Sequence, residues 1–486
     1  LISIFGSKLS GKLGVPSLLI FLCIGMLAGS DGIGNIYFDD ALLANSLGTT
    51  ALAFILFSGA FDTRLHAIKG IILSGIILST AGVALTAAFI ALFSCYVLNL
   101  PLVDSILLGT IISSTDAAAV FSVLRSRGVG LKGKIAPLLE FESGSNDPMA
   151  IFLTITAIQF FLPGEGNSWS YLLARLFVQM TVGAAAGIGV GRLSGFVFNR
   201  IKLDYEGLYP VLSISIVLLT YGTAEMFAGN GFVAVYACGI TLGNTDFLYK
   251  RSVGRFNDGI AWLMQIGIFL MLGLLVFPSH LKPVAHTGII LAAFIMFASR
   301  PLAVFICLLG SRFKFGEKIL ISWAGFKGAV PVVLATYPLM YKFPGAGNIF
   351  NIVFFIVIIS VLLQGKTLMP LARILKLDVK SANIPRSPLE FERTEDWGNE
   401  TREVDILPNS LAADKKLSLL KLPGDVRVLL IRREREFIIP KGNTVIAAND
   451  TTTLYGHAEH LKEAVEYMNR LEDEEMQESE DEKYIY

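Results

Sequence analysis

Apolar runs separated by charged or Gly/Pro-rich breaks recur along the first 377 residues and then stop. Twelve of them are candidate membrane spans, near residues 15–29, 42–60, 71–98, 105–123, 135–162, 169–191, 205–227, 231–247, 259–277, 284–309, 319–341 and 349–371. A spanning segment in lipid must satisfy its own backbone hydrogen bonds, so each run predicts a helix. Lys and Arg test the count, because they favour cytoplasmic loops. One set of loops holds Lys8, Lys12, Arg64, Lys69, Arg125, Arg127, Lys132 and Lys134, then Arg192, Arg200, Lys202, Lys250, Arg251, Arg255, Arg312, Lys314 and Lys318. The alternate set holds only Lys282 and Lys342. That asymmetry predicts alternating spans with both ends of the chain inside the cell. The opening "LISIF" reads as the end of a hydrophobic segment cut short, which brings the expected total to about 13 spans.

Beyond Leu377 the pattern changes. Residues 378–408 read as a polar linker with three prolines. Residues 409–471 read as a small α+β domain on the cytoplasmic side. In it "VRVLLIRR" and "REFIIP" are expected strands, and "TVIAAND" and "TTTLYGH" an expected hairpin turning near Asn449 and Asp450. Leu461, Val465, Met468 and Leu471 fall at helical spacing. Residues 472–486 form an acidic tail with eight carboxylates between Glu472 and Glu482, expected to stay solvated.

Composition adds little beyond this. The 40 basic and 40 acidic residues balance, so net charge indicates neither nucleic acid nor an acidic partner. The four cysteines, Cys23, Cys95, Cys238 and Cys307, lie in apolar runs with no metal-ligand spacing. No cofactor is expected, and the five histidines fall in loops or in the soluble domain.

The chemistry lies in the few charges inside spans. An Asp at the centre of a membrane helix costs roughly 2.5–3.5 kcal/mol on insertion scales, so each one needs a reason. The fourth span carries Asp116 in "SSTDAAAV", the fifth carries Glu142 and Asp147 in "FESGSNDPMA", and the eleventh carries Lys327 in "GFKGAVP". Ser143 and Asp147 share one helical face, and Glu142 and Asn146 the next. Pro148 leaves the Gly144 carbonyl without its helical donor. Gathered hydroxyl, amide and carboxylate oxygens suit a hard monovalent cation rather than a soft metal. Spans four and eleven are both poor continuous helices and run in opposite directions, the signature of an inverted-repeat transporter with its ion site at the midplane. Asp116 has a second reading, as a cap for N–H groups freed by the break. Arg300 sits near the cytoplasmic end of span ten, facing a helix terminus or water, and Glu225 is an outer loop-end carboxylate.

"SSTDAAAVFSVL", "ESGSNDP", "SRPLAV" and "GFKGAVP" together resemble the NhaP-type branch of monovalent cation/proton antiporters, related to eukaryotic sodium/proton exchangers. That resemblance implies an all-α polytopic membrane protein with two interrupted crossing helices. It also implies a homodimer and a mobile core moving against a dimerisation domain. By the same resemblance Thr115, Asp116, Ser143, Asn146 and Asp147 surround the ion, with Asp147 the carrier and the Asn146–Asp147 pair marking electroneutral exchange. Glu142 would form a structural ion pair with Lys327, where most members have arginine. Residues 409–471 are similar to the C-terminal half of RCK (TrkA-type) regulatory domains, a resemblance that implies a nucleotide-type ligand at this cytoplasmic domain and favours potassium over sodium as cargo. A gated potassium channel lacks its TVGYG-like filter here, the nearest string being "TVGAAAG". An intramembrane aspartyl protease lacks its GxGD sequence.

Overall fold

The computed structural model describes residues 17–65, 70–126, 128–161, 169–201, 203, 205–380, 399–408, 410–420, 422–433 and 436–470. The clipped helix expected before Lys8 and the acidic tail lie outside them. The chain divides into two compact units, one of membrane helices and one C-terminal.

In the first unit a helix, whole or broken, occupies each of the twelve apolar segments. These are α1 (Ser17–Ala28), α2 (Ala41–Asp62), α3 (Ile72–Tyr96), the bent pair α4 (Leu102–Ile112) and α5 (Ala117–Ser126), and α6 (Ile135–Phe161). Next come α7 (Trp169–Arg200), α8 (Leu208–Met226), α9 (Gly231–Gly243), α10 (Lys250–Leu275) and α11 (Pro278–Cys307). The broken pair α12 (Phe315–Trp323) and α13 (Ala329–Met340) and the long α14 (Ala346–Ile374) complete the unit. Among the described residues seven helices are long and apolar enough to cross a membrane singly, eight with the pair α4–α5 counted as one. A two-stranded antiparallel ribbon of β1 (Val129–Leu131) and β2 (Asp378–Lys380) ties the end of α14 to the entry of α6.

Two local devices shape what the helices present. The first is a π-helical turn at Ile295–Ser299 inside α11. An extra residue in one turn advances the phase of everything after it by about 100°, and Arg300, the next residue, is thereby buried, at 2% exposure. The second is close approach at glycine: a Cβ on Gly183 would lie 2.7 Å from the Asn230 carbonyl oxygen, and one on Gly191 2.9 Å from Thr241 Cβ. This small-residue seam lets α7 pack tightly along α9.

The C-terminal unit is an antiparallel sheet with order β3–β6–β4–β5, where β3 is Asn399–Asp405, β4 Arg427–Arg433, β5 Glu436–Ile438 and β6 Thr451–His457. The amphipathic α15 (Ala458–Asn469) supplies Leu461, Ala464 and Met468 to a core with Val404, Ile431 and Leu454. Two expectations need correction. The stretch 378–408 read as a linker contains β2 and β3, and β3 pairs with β6 over its full length. Residues 444–450 are not the first arm of a hairpin, because β6 pairs with β3 and β4 instead. That stretch is a loop held by Asp450, which takes Arg433 through two bonds of 2.9 and 2.8 Å and the Ala447 amide at 2.8 Å. The carboxylate in turn raises the Arg433 pKa above its usual value.

Candidate functional site

The site forms where the two helix breaks meet the middle of α6. The helix is interrupted between α4 and α5 over residues 113–116, and between α12 and α13 from Ala324 to Gly328. The breaks hydrogen-bond each other: the Asp116 amide donates to the Phe326 carbonyl at 2.8 Å. A Cβ on Gly328 would overlap the Asp116 carboxyl group, so the crossing requires glycine there.

Several of the freed backbone groups find partners supplied by nearby side chains. Ser143 of α6 donates its hydroxyl to the Thr115 carbonyl and accepts the Ala117 amide, both at 3.0 Å. Asp116 Oδ1 accepts the Ala119 amide at 3.1 Å, which is N-cap chemistry for α5. The Lys327 amide donates to Ser360 Oγ at 3.0 Å. Ser360 Oγ is bonded to Gln364 Oε1, and Gln364 Nε2 donates to the Trp323 carbonyl at 2.9 Å. Lys327 Nζ reaches the Ser114 carbonyl at 2.8 Å and the Ser113 carbonyl at 3.5 Å. An ammonium thus sits on the C-terminal carbonyls of α4, where the helix dipole is negative.

Beside these contacts a small set of side-chain oxygens stands out. Asn146 Nδ2 donates to Thr115 Oγ1 at 2.6 Å. Its own Oδ1 and Asp147 Oδ1 are buried without a hydrogen-bond partner. Asp147 is buried next to Pro148, within electrostatic reach of Asp116 and Lys327 and beside Ser114. Thr115, Asp116, Ser143, Asn146 and Asp147 are therefore brought together at one place. Buried polar atoms are normally paired, so unpaired anionic and amide oxygens single this place out.

The ion pair is the chief correction. Glu142, fully buried, lies 2.6 Å from Arg300 Nη2, whereas Lys327 points to the carbonyls of α4. The Glu142–Arg300 contact is close but lacks the alignment of a hydrogen bond, so its strength is coulombic. Arg300 is consequently neither at a helix terminus nor in cytoplasmic water. It packs over Gly325, where a Cβ would lie 2.8 Å from its Nε, and so braces α6 and α11 against the break before α13. Reading the sequence placed Arg300 by its position near the end of a span, and the π-turn that rotates it inward leaves no mark in hydropathy. Ser360 and Gln364, one helical turn apart on α14, were also missed; two polar residues four apart in an otherwise apolar run were the available signal. Glu225 accepts the Gly231 amide at 3.0 Å and lines a cavity of about 250 Å³ with Arg175, Gln179, Tyr221 and Tyr337.

Two interrupted helices crossing at a buried carboxylate define a secondary transporter of the broken-helix class. Comparison with known proteins places it further. Residues 1–374 match the model of the family "Sodium/hydrogen exchanger, transmembrane", and residues 401–469 match the TrkA-C domain. The chain belongs to the sodium/hydrogen exchanger family, a family of transporters rather than enzymes. It is 37% identical over 454 residues to the K(+)/H(+) antiporter NhaP of Alkalimonas amylolytica, covering 93% of this chain and 78% of that protein. It is also 37% identical over 465 residues to the K(+)/H(+) antiporter NhaP2 of Shewanella sp. (strain ANA-3), covering 95% and 80%. The Na(+)/H(+) antiporter 1 of Methanocaldococcus jannaschii is 30% identical over 346 residues, covering 68% and 79%. The structure of the sodium proton antiporter MjNhaP1 from the same organism at pH 8 superposes with a TM-score of 0.68 at 25% identity, covering 77% of this chain and 96% of that one.

Proposed function

We propose that the protein exchanges a monovalent cation for a proton, one for one and without net charge, with Asp147 carrying either but never both. The observation that carries this is the buried Asp147 carboxylate, its Oδ1 without a hydrogen-bond partner, among the oxygens of Thr115, Ser143 and Asn146. A charge inventory supports the stoichiometry. Glu142 and Arg300 cancel, Asp116 and Lys327 cancel, and one negative charge remains on Asp147. A carboxylate withdrawn from water is stabilised by a proton or by a cation, and either neutralises the site once. Competition for that charge couples the two fluxes.

Potassium is the favoured cargo, because the K(+)/H(+) antiporter relatives match over 93% and 95% of the chain, C-terminal region included. Sodium is the second reading, supported by the likeness of the membrane region to the sodium antiporters of M. jannaschii. The remaining features follow the same line: about 13 spans in an inverted repeat, a homodimer, and a cell (inner) membrane location with the C-terminal unit in the cytoplasm. That unit restrains transport in response to a small ligand of nucleotide type.

The test is exchange in proteoliposomes, followed by dequenching of a pH dye on addition of each chloride salt. Asp147→Asn abolishes the signal, and Asp147→Glu retains a reduced rate with altered apparent affinity. Ion flux driven by voltage alone in the parent protein would exclude the electroneutral scheme.

A further inference from the structure

Two residues of the "ESGSNDP" motif, Gly144 and Ser145, have no task in the site as described. The structure gives them one. A Cβ on Gly144 would collide with the side chain of Tyr236 on α9, whose hydroxyl oxygen would lie 2.8 Å from it. The absence of a side chain at Gly144 is thus a notch in α6 that seats the tyrosine ring. Glu140, Gly144 and Asp147 fall four and three residues apart, on one stripe of α6, and this stripe faces Tyr236. The hydroxyl lies beside Ser145 and feels the charges of Glu140 and Asp147. Its oxygen is buried, yet it makes no hydrogen bond of ordinary geometry. A buried hydroxyl left without a partner is costly, and Asp147 Oδ1 is unpaired at the same stripe. α9 and α6 therefore each bring an unsatisfied oxygen to their common seam.

We propose that the Tyr236 hydroxyl is a further affinity-setting arm of the cation site, contributed by α9 across the seam and seated by Gly144. Its oxygen acts as an acceptor in both loaded states. It ligates the cation held by Asp147, and it receives the O–H of the protonated carboxyl when the proton is carried instead. A neutral oxygen adds no charge, so the one-for-one balance is unaltered. This inference rests on the antiporter reading with Asp147 as carrier.

The parent protein, Asp147→Asn, Tyr236→Phe and Gly144→Ala are reconstituted side by side, and initial exchange rates are measured against potassium and sodium concentration. Tyr236→Phe keeps the ring in its notch and removes only the hydroxyl. The half-saturating concentration of the transported cation is expected to rise about three- to tenfold, the worth of one ordinary polar contact, with the maximal rate within about twofold. Gly144→Ala pushes the ring out and raises the half-saturating concentration likewise. The double variant adds little to either, as partners in one contact are not additive. A half-saturating concentration unchanged for both cations in Tyr236→Phe would overturn the inference, the tyrosine then being packing alone. If that occurs while Asp147→Asn is inactive, the antiporter reading stands without it. Exchange that persists in Asp147→Asn, or is missing from the parent protein, sinks both.

Discussion

The Glu142–Arg300 pair is the sharpest point at which the structure departs from expectation, and Arg300→Met tests it. The charged atoms are 2.6 Å apart, and both side chains are at most 2% exposed. At an effective dielectric constant of 20 their attraction is about 6 kcal/mol. Much of that offsets the cost of taking two ions out of water, so the intact pair adds little net stability. Removing one partner is different, because the other charge stays buried and unmatched. Arg300→Met, close to arginine in bulk, is expected to cost about 3–5 kcal/mol and to lower the apparent melting temperature of detergent-solubilised protein by several degrees. Glu142→Gln should do the same, and the double variant should recover most of the loss. The coupling between positions 142 and 300 in a double-mutant cycle is then larger than either single loss, on the order of 5 kcal/mol. Positions 142 and 327 should be coupled much more weakly, since Lys327 makes its direct contacts with the carbonyls of Ser113 and Ser114 and meets Glu142 only through the longer-range field. Additivity at 142/300 together with strong coupling at 142/327 would refute the assignment and restore the pairing expected from the sequence.

Three further outcomes follow from other parts of the molecule. Gly328→Ala places a Cβ inside the Asp116 carboxyl group and should lower exchange in proteoliposomes at least tenfold, the worth of about 1.4 kcal/mol; parental rates would mean that the two breaks are not packed this tightly. Truncation after Lys380 removes the C-terminal unit and should leave exchange intact while altering its dependence on cytoplasmic pH or ligand, read as rate against internal pH. In that unit the hydrogen bond from His460 holds the Asp425 pKa below its usual value, so this contact stabilises the fold above the unfolded carboxylate pKa and the benefit is lost as pH falls through the lower folded value. His460→Ala should raise the Asp425 midpoint toward the ordinary range in a carboxylate NMR titration, and an unmoved midpoint would show that the histidine is not the cause.

The membrane unit was legible because lipid leaves the chain few options. An apolar run of sufficient length must be helical, and the Lys/Arg asymmetry then orders the runs. Both breaks were legible for a related reason: Ser113, Ser114, Thr115 and Asp116, and Gly325, Gly328 and Pro331, are residues a continuous apolar helix has no use for. Side-chain partners across the fold were not. Glu142 and Arg300 are joined only after the π-turn at Ile295–Ser299 changes the phase of α11, and a hydropathy window averages that turn away. The strand β3 was missed because "NETREVD" alternates polar with polar on its outer face and contributes Val404 to the core. The loop 444–450 was misread because Val445 and Ile446 look like strand residues, while the Arg433–Asp450 fork that shapes the loop joins positions far apart in sequence.

The way the breaks are satisfied has a consequence for how ions are chosen. A helix interrupted in lipid frees amides and carbonyls, and in some transporters unwound carbonyls themselves coordinate the ion. Here the Phe326 carbonyl is taken by the Asp116 amide, the Thr115 carbonyl by Ser143, and the Ser113 and Ser114 carbonyls by Lys327. The backbone of the crossing is engaged in holding the breaks together. Among the side-chain oxygens left unpaired there are those of Asp147 and Asn146 on α6 and, across the seam, that of Tyr236. Selectivity between potassium and sodium should therefore respond to substitution of side chains on α6. Asn146→Ser, which shortens one oxygen-bearing arm while leaving Asp147 in place, is expected to change the ratio of half-saturating potassium to sodium concentration in the proteoliposome assay. A ratio that stays fixed while the rate falls would place the discriminating oxygens on the backbone instead.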